Sequence, residues 1–205
     1  MNLVDLSNYD WLQADTLEVA PKLLGWELQT WLPDGVTGGI IIETEAYRGA
    51  NDPASHAYIN RTARNQPMFE TGGRAYVYLS YGLHVCLNIV TGPADNAQAV
   101  LIRAVIPTSG VQIMTERRSR LRTVPARELV NGPGKLGQAL GLKLADSGTL
   151  LGGVIRLVPP VSLIDASGIV AGPRIGITRG QELPWRFRWR PNGTVTGATG
   201  TGLPQ

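Results

Sequence analysis

Residues 75–90, AYVYLSYGLHVCLNIV, constrain the fold of this chain more than any other stretch. Two segments of alternating apolar side chains flank a short interruption, which is the pattern of an antiparallel β-hairpin. A two-residue turn would set polar residues of one strand against apolar residues of the other. A three-residue turn over residues 80–82 instead pairs Tyr78 with His84, so both faces agree, and Gly82 can take the left-handed conformation that such turns need.

The predicted turn leaves Tyr81 at the tip of this hairpin. An aromatic ring at an exposed tip cannot be buried within its own domain, so it contributes little to stability there. Such a ring suits a wedge that enters another structure, for example a stack of bases.

Further segments predict several strands and at least one helix. Asp15 can cap a helix that runs towards Lys22. The segments with strand character are WELQTW, GGIIIETEAY, AVLIRAVIP, GVIRLVPP, PRIGITRG and PWRFRWR. Residues 48–74 have no sustained period, and a loop that long in a compact domain is usually functional. A chain of 205 residues can bury one good core, so we expect a single domain over residues 1–191 and a flexible tail over 192–205.

Composition narrows the class of protein. Hydrophobic residues make up 43% of the chain and charged residues 17%, as in ordinary globular proteins, and no apolar run is long enough to span a bilayer. The amino terminus lacks the pattern of a secretory signal, and a single cysteine, Cys86, cannot form an internal disulfide. We therefore expect a cytoplasmic protein that makes no membrane contact.

Positive charge is concentrated in the segment MTERRSRLRTVPAR, which contains Arg117, Arg118 and Arg120. Such clusters attract polyanions, but a solvated helix face gives the same pattern, and the segment alone does not choose between them. Lys135 lies in the first turn of a short helix after NGPG. It is a second candidate for binding phosphate groups, although glycine and proline are common at helix starts and indicate little alone.

Acidic side chains end the strand GGIIIETEAY. With a period of two, Glu43, Glu45 and Tyr47 share one face, which is either simply solvated or a working surface. Arg103 lies among apolar residues of a later strand. A buried arginine requires an anion or several acceptors as a partner.

Several kinds of chemistry have no signature in the sequence. The soft metal ligands are His56, His84 and Cys86, and their spacing fits no zinc site. No Walker loop, dinucleotide fingerprint or serine nucleophile elbow is present. We expect a function that needs no metal and no cofactor.

Five separated motifs together carry a resemblance to a known family. ETEAYRGANDPASHA, RNQPMF, YVYLSYGLHVCLN, AVLIRAV and NGPGKL occur in the order, and at nearly the spacing, of the alkyladenine (3-methyladenine) DNA glycosylase family. The match runs from about Asp15 to Arg190. It implies an α+β fold: a single compact domain with a curved, mainly antiparallel β-sheet, flanking helices and a protruding β-hairpin.

The resemblance also implies an activity. Such a protein binds double-stranded DNA, flips a damaged, alkylated purine into a pocket, and hydrolyses the N-glycosidic bond without a metal, a covalent intermediate or a lyase step. We expect a monomer, as is usual for a protein that slides on DNA. Two other functions stay open on the residues alone: a protein that binds damaged DNA without cutting it, and an RNA-binding regulator. The sequence does not decide whether neutral lesions such as hypoxanthine or ethenoadenine are also released.

The resemblance assigns roles to individual residues. Glu45 is expected to be the general base that deprotonates a water molecule, and Arg103 to hold that water or the backbone of the flipped nucleotide. Glu43 is expected to be structural, bonded to the backbone or to an arginine. The flipped base is expected to be sandwiched and positioned by Tyr47, His56 and Tyr78, with Asn88 against the edge where the exocyclic amine of guanine would clash. Tyr81 would fill the gap in the base stack, and the expected phosphate contacts are Lys135, Arg117, Arg118 and Arg120.

Overall fold

The computed structural model describes residues 9–119, 123–162 and 164–190. These ranges contain three α-helices, α1 (Thr16–Lys22), α2 (Val111–Arg118) and α3 (Pro133–Ala139). They also contain eight strands: β1 (Glu27–Leu32), β2 (Gly35–Tyr47), β3 (Ala75–Ser80), β4 (His84–Thr91), β5 (Gln98–Ser109), β6 (Ile155–Val158), β7 (Ile169–Gly172) and β8 (Arg186–Trp189). The expected α+β fold in a single compact domain is confirmed. The expected tail over 192–205 lies outside the described residues, as does Arg120.

All the described strands join one sheet, and every pairing among them is antiparallel. The order is β3-β4-β5-β2-β1-β6, and β8 pairs with both β2 and β7. The 13-residue strand β2 pairs with β5 along one side, and along the other it pairs first with β1 and then with β8. The end of β2 that carries the carboxylates is therefore held between two strands, which fixes the direction of its side chains.

The main hydrophobic core lies between the sheet and the helices. Fully or almost fully buried members include Leu24 of the segment after α1, Ile41 and Ile102 of the sheet, and Leu136 of α3. A second, smaller cluster around Met68 and Tyr76 lies beneath the long loop after β2. Because this loop has its own apolar support, it is a packed part of the structure. None of the described helices is long and apolar enough to cross a membrane.

Helix α1 begins as predicted and is tied to the end of β2. Its N-cap is Asp15, whose carboxylate accepts a hydrogen bond from the N–H of Leu17 at 2.9 Å. The other oxygen of Asp15 accepts bonds from the guanidinium of Arg48 at 2.7 and 3.0 Å. On the sheet side, the hydroxyl of Thr44 donates to the carbonyl of Ala20 at 2.9 Å. Thr44 thus faces the helix, and its neighbours Glu43 and Glu45 face the other way.

The β3–β4 hairpin forms, but the predicted register is wrong. Tyr78 pairs with Cys86 and not with His84. The turn still has three residues, but it lies one position later, over residues 81–83. Each residue of β3 pairs with a residue of β4 that lies two positions later than predicted. Side chains alternate with a period of two, so the polar and apolar faces of the two strands still match. The first two turn residues have φ values of 49° and 70°, and two successive left-handed residues give a turn whose twist matches the flanking strands.

Residues 173–180, PRIGITRG, do not form the predicted strand. Strand β7 ends at Gly172, and an irregular loop follows. In this loop Nη1 of Arg174 donates to the carbonyl of Ala46 at 2.9 Å, and the N–H of Ile175 donates to the carboxylate of Glu45 at 2.8 Å. These contacts replace a strand ladder. They are made by single groups at irregular intervals, so periodicity could not reveal them.

Two β-bulges lie side by side where β2 pairs with β5. The extra residue of one is Ile42 on β2, and the extra residue of the other is Arg103 on β5. Bulges bend a strand locally and change the direction of a side chain. Here the second bulge directs Arg103 towards the carboxylates of β2.

Candidate active site

A cavity of about 550 Å³ opens between the β3–β4 hairpin, the loop after β2 and the loop 173–180. Six of the residues singled out from the sequence line it: Tyr47, His56, Tyr78, Tyr81, Asn88 and Arg103. The structure therefore brings residues of separate motifs to one place. Among the described residues, no group of three or more histidine, cysteine or acidic side chains could hold a metal ion.

Glu45 lies directly behind the wall of this cavity. Its side chain is 0% exposed, and both carboxylate oxygens accept hydrogen bonds. Oε1 accepts from the N–H of Ile175 at 2.8 Å, and Oε2 accepts from the hydroxyl of Tyr47 at 3.0 Å and lies 3.2 Å from Nη1 of Arg103. Because a buried carboxylate requires such partners, these three donors stabilise its charge and fix its orientation.

Arg103 bridges the two glutamates of β2. Its Nε donates to Glu43 at 3.0 Å, and its Nη1 makes the contact with Glu45. The carboxylate of Glu43 also accepts from Nη1 of Arg186, on β8, at 3.1 Å. The contacts of Glu43 fit the expectation that it is bonded to an arginine, and Arg103 has the anionic acceptors that a buried arginine requires. The expected contact of Arg103 with the water or the flipped nucleotide stays a prediction. Glu43 thereby holds the guanidinium that reaches Glu45.

Tyr47 separates Glu45 from the cavity. Burial raises the pKa of its hydroxyl above the usual value of a tyrosine, and the nearby charge of Glu45 raises it further. The hydroxyl therefore keeps its proton and remains a hydrogen-bond donor to the carboxylate. On the ring, the guanidinium of Arg174 lies 4.7 Å from the centroid.

An aromatic cluster also lines the cavity. The rings of Tyr76 and Tyr78 stack with centroids 5.5 Å apart, and His56 stands perpendicular to Tyr78 at 4.6 Å. His56 and Tyr78 are thus in direct edge-to-face contact, and in this arrangement no base fits between them. Burial, followed by the charge of Arg64, lowers the pKa of His56 below its usual range, so the ring is neutral at pH 7.

Asn88 and Cys86 form part of the cavity wall. The side chain amide of Asn88 donates to the carbonyl of Tyr76 at 3.2 Å, which fixes its direction across the hairpin. Cys86 is 2% exposed, as expected for a small buried side chain, and burial raises the pKa of its thiol. The thiol therefore remains protonated at neutral pH, where it packs as an apolar group.

Sequence reasoning missed the ion pair between Arg174 and Asp52. Both side chains are completely buried, and Nη2 of Arg174 donates to Oδ1 of Asp52 at 2.8 Å. Asp52 also accepts the backbone N–H groups of Arg48 and Ala54, at the start of the loop after β2. The sequence did contain a signal for this ion pair. Arg174 is a single arginine flanked by apolar residues in PRIGI, the same pattern that singled out Arg103.

The described residues that were predicted to contact phosphate groups are engaged with other parts of the chain. Arg117 binds Asp34 at 2.7 Å and the carbonyl of Ala139 at 2.9 Å. Arg118 donates to the side chain of Gln138 at 2.7 Å, and Lys135 donates to Asn131 at 2.9 Å. The two arginines thus hold α2 against α3. Their expected contact with phosphate groups stays a prediction.

Comparison with known proteins yields one family. The family model described as methylpurine-DNA glycosylase matches residues 10–193. A protein of Rhodopseudomonas palustris (strain BisB18) is 48% identical over 176 residues, which is 84% of this chain and 82% of that protein. A protein of Chlamydia pneumoniae is 43% identical over 194 residues, with 91% and 95% of the two chains covered. Both carry the name "Putative 3-methyladenine DNA glycosylase".

Proposed function

The chain belongs to the methylpurine-DNA glycosylase family, and from this membership we propose that it flips alkylated purines out of duplex DNA and hydrolyses their N-glycosidic bonds with water activated by Glu45. Membership itself makes the protein a DNA glycosylase, a hydrolase of N-glycosyl bonds that acts on alkylated bases. The observation that carries the finer mechanism is the buried carboxylate of Glu45 behind an aromatic cavity. The products are a free base and an abasic site, and no lyase step follows.

The hydrogen bonds of Glu45 leave one acceptor position of its carboxylate unoccupied. An ionised carboxylate offers about four acceptor positions, and Ile175, Tyr47 and Arg103 occupy three of them. The remaining position can accept a proton from water that reaches the carboxylate past the cavity wall. A fixed carboxylate also stabilises the positive charge that develops on the sugar as the base departs.

The aromatic walls suit a damaged purine. A purine alkylated at a ring nitrogen is cationic, so it leaves without much acid catalysis and gains about 0.5–2 kcal/mol from each cation–π contact. Tyr47 and Tyr78 supply the aromatic faces. His56 is in edge-to-face contact with Tyr78, which leaves no space for a base between these two rings. The proposed sandwich therefore uses Tyr47 and Tyr78, with His56 beside them.

Tyr81 and the basic residues support the binding of duplex DNA. Tyr81 is 83% exposed at the tip of the hairpin and at the mouth of the cavity, where its ring can fill the space left by a flipped nucleotide. Flipping costs a few kcal/mol, and less for a damaged, weakly paired base. Lys135, Arg117, Arg118 and Arg120 would supply phosphate contacts that do not depend on sequence. A monomer suffices, because one chain carries the whole set.

The proposal is tested by base release under single-turnover conditions without added metal. Duplex oligonucleotides carry a 3-methyladenine-type lesion, hypoxanthine, ethenoadenine or no lesion. We expect wild type to release the alkylated purine, and Glu45→Gln to be slower by about 10²- to 10⁴-fold while binding the duplex normally. Glu43→Gln is the matched control. It lies on the same strand and also binds Arg103, and we expect a much smaller loss.

Two results would contradict the proposal. Equal rates of base release for wild type and Glu45→Gln would exclude Glu45 as the base. Failure of wild type to release any base, with tight binding of damaged duplexes, would favour a damage-binding protein. The absence of a lyase step is checked on the same samples, because an abasic strand that breaks only after alkali treatment is the product of hydrolysis alone.

A further inference from the structure

One arginine of the sheet lacks an acceptor for its guanidinium. Arg188, on β8, is half-buried and its Nε is buried, yet its side chain makes no hydrogen bond or ion pair among the described residues. Two other described arginines, Arg74 and Arg174, also have a buried Nε without a hydrogen bond, but each of them makes an ion pair. Because a buried donor without an acceptor destabilises the fold, Arg188 requires an explanation.

Strand β8 has one apolar face and one basic face. Phe187 and Trp189 pack against the main hydrophobic core. Because side chains alternate along a strand, Arg186 and Arg188 point to the opposite face of the sheet. Strand β8 pairs with the end of β2 that carries the carboxylates. The basic face of β8 therefore continues the face of β2 that carries the candidate base.

The charges on this face do not balance. In the register of β8 with β2, Arg188 lies opposite Glu43, and Arg186 lies opposite Glu45. Glu43 accepts hydrogen bonds from Arg103 and Arg186, and Glu45 forms an ion pair with Arg103. Among the ion pairs of the described residues, none joins Arg188 to Glu43. Two carboxylates thus face three guanidinium groups, and the charge of Arg188 is not compensated.

We propose that Arg188 forms an anion site, and that its ligand is a phosphodiester group of the DNA strand that carries the damaged base. The identification of the anion as DNA rests on the proposed function. A flipped nucleotide has a phosphate group on each side, and Arg188 adjoins the Glu43–Arg103 pair, whose arginine lines the cavity. A phosphodiester supplies the negative charge and the acceptor oxygens that this guanidinium lacks.

This site differs from the phosphate contacts that were predicted from the sequence. Arg117, Arg118 and Lys135 already donate hydrogen bonds to groups of the chain. Arg188 has no such bond among the described residues, so a phosphate can bind there without displacing an internal partner. Contacts to phosphate groups position a strand and do not read its sequence.

The first test is the salt dependence of binding to an undamaged duplex, which requires no base release. In Arg188→Gln we expect the slope of log K against log salt concentration to become shallower by about one, and the affinity to fall about tenfold or more. Arg188→Lys keeps the charge and should keep the slope. Arg156→Gln is the matched control. It removes one positive charge from β6, at an edge of the sheet, and should leave the slope unchanged.

Thermal unfolding separates this role from a structural one. Because Nε of Arg188 has no partner to lose, we expect Arg188→Gln to unfold at the same temperature as wild type or higher. Inorganic phosphate, compared with chloride at equal ionic strength, should raise the unfolding temperature of wild type more than that of Arg188→Gln. This phosphate effect together with unchanged duplex binding would replace DNA by free phosphate as the ligand.

Three results would overturn the proposal. They are an unchanged salt slope in folded Arg188→Gln, an equal change of slope in Arg156→Gln, and a strong loss of stability in Arg188→Gln. The second would show that the slope reports net charge alone, and the third that the guanidinium has an internal role. Failure of the proposed function looks different: wild type would release no base, while the salt slopes of wild type and Arg188→Gln would still differ.

Discussion

Glu43 and Glu45 are two residues apart on one strand and share a partner, yet their surroundings differ. Glu45 is completely buried and accepts from a tyrosine, an arginine and a backbone amide. Glu43 is partly exposed and binds two arginines. The first environment fixes a carboxylate next to an aromatic cavity, and the second anchors the arginine that reaches it. One residue type therefore suits two roles, because the environment differs.

The tyrosines of the cavity predict loss of stability in alkali. Burial raises the pKa values of Tyr47, Tyr76 and Tyr78 above the value of about 10 in an unfolded chain. Above pH 10 the unfolded chain loses protons that the folded protein keeps, so stability falls as pH rises. Each tyrosine contributes up to about 1.4 kcal/mol per pH unit.

This prediction is checked by urea unfolding at several pH values from about 9 to 11.5, a range that spans the ordinary tyrosine pKa. In Tyr78→Phe we expect the unfolding free energy to fall less steeply with pH, by up to about 1.4 kcal/mol per pH unit, because one tyrosine no longer titrates. Tyr58→Phe is the control, because Tyr58 is 39% exposed and should leave the slope unchanged. A slope identical in wild type and Tyr78→Phe would show that Tyr78 titrates normally.

At the scale of elements, the β3–β4 hairpin combines an ordered ladder with a strained tip. Tyr81 has φ 49°, a left-handed conformation that costs a side chain other than glycine about 1–3 kcal/mol. Its ring gains little burial in return, since the residue is among the most exposed large hydrophobic residues of the described chain. A residue that is both strained and exposed is typical of a site kept for binding.

Replacing Tyr81 by asparagine, which tolerates the left-handed conformation, should separate stability from function. We expect Tyr81→Asn to unfold at the same temperature as wild type or higher, and to bind and process lesion-containing duplexes at least tenfold less well, since stacking of one ring is worth about 1–3 kcal/mol. Val161→Asn, at another fully exposed apolar residue, should change neither property. Normal lesion processing by Tyr81→Asn would exclude the wedge.

Two residues predicted to contact phosphate groups, Arg117 on α2 and Lys135 on α3, differ in their contacts within the chain. Arg117→Gln should lower the unfolding free energy by about 1.5–3 kcal/mol, because the guanidinium binds Thr37 and the carbonyl of Ala139. Lys135→Gln should leave stability nearly unchanged. It should reduce the slope of log K for duplex binding against log salt concentration by about one, because one phosphate contact is lost. Denaturant titrations and binding isotherms at several salt concentrations check both. A stable Arg117→Gln variant would show that the internal contacts of Arg117 are weak.

At the scale of the whole molecule, the Asp52–Arg174 pair joins three parts of the active site. Asp52 belongs to the loop after β2, Arg174 to the loop 173–180, and the carbonyl of Ala46 to β2 itself. The next residue, Ile175, donates to Glu45. The ion pair therefore holds the walls of the cavity together and places one donor on the candidate base.

Breaking this pair should affect stability and catalysis together. Because a lone charge remains buried, Asp52→Asn should lower the unfolding free energy by about 3–5 kcal/mol and slow base release. The double variant Asp52→Leu with Arg174→Met removes both charges. It should recover much of the stability but not the rate, since the amide of Ile175 is no longer held at Glu45. Recovery of the full rate in the double variant would show that the ion pair has no positioning role.

Features that depend on local pattern were predictable from the sequence. Alternation predicted the hairpin and placed Glu43, Glu45 and Tyr47 on one face; a capping residue predicted the start of α1; and five motifs identified the family. These features depend on residues close together in the chain, whose spacing follows from the geometry of strands and helix ends.

Contacts between groups that are distant in the sequence depend on the completed fold. The amide of Ile175 reaches Glu45 across 130 residues, and Arg174 reaches Asp52 across 122. Sequence pattern also did not predict three other features: the irregular loop 173–180, the internal hydrogen bonds of Arg117 and the perpendicular ring of His56. Periodicity describes a strand or a helix, but a buried polar group selects its partner from whatever the completed fold brings within hydrogen-bond distance.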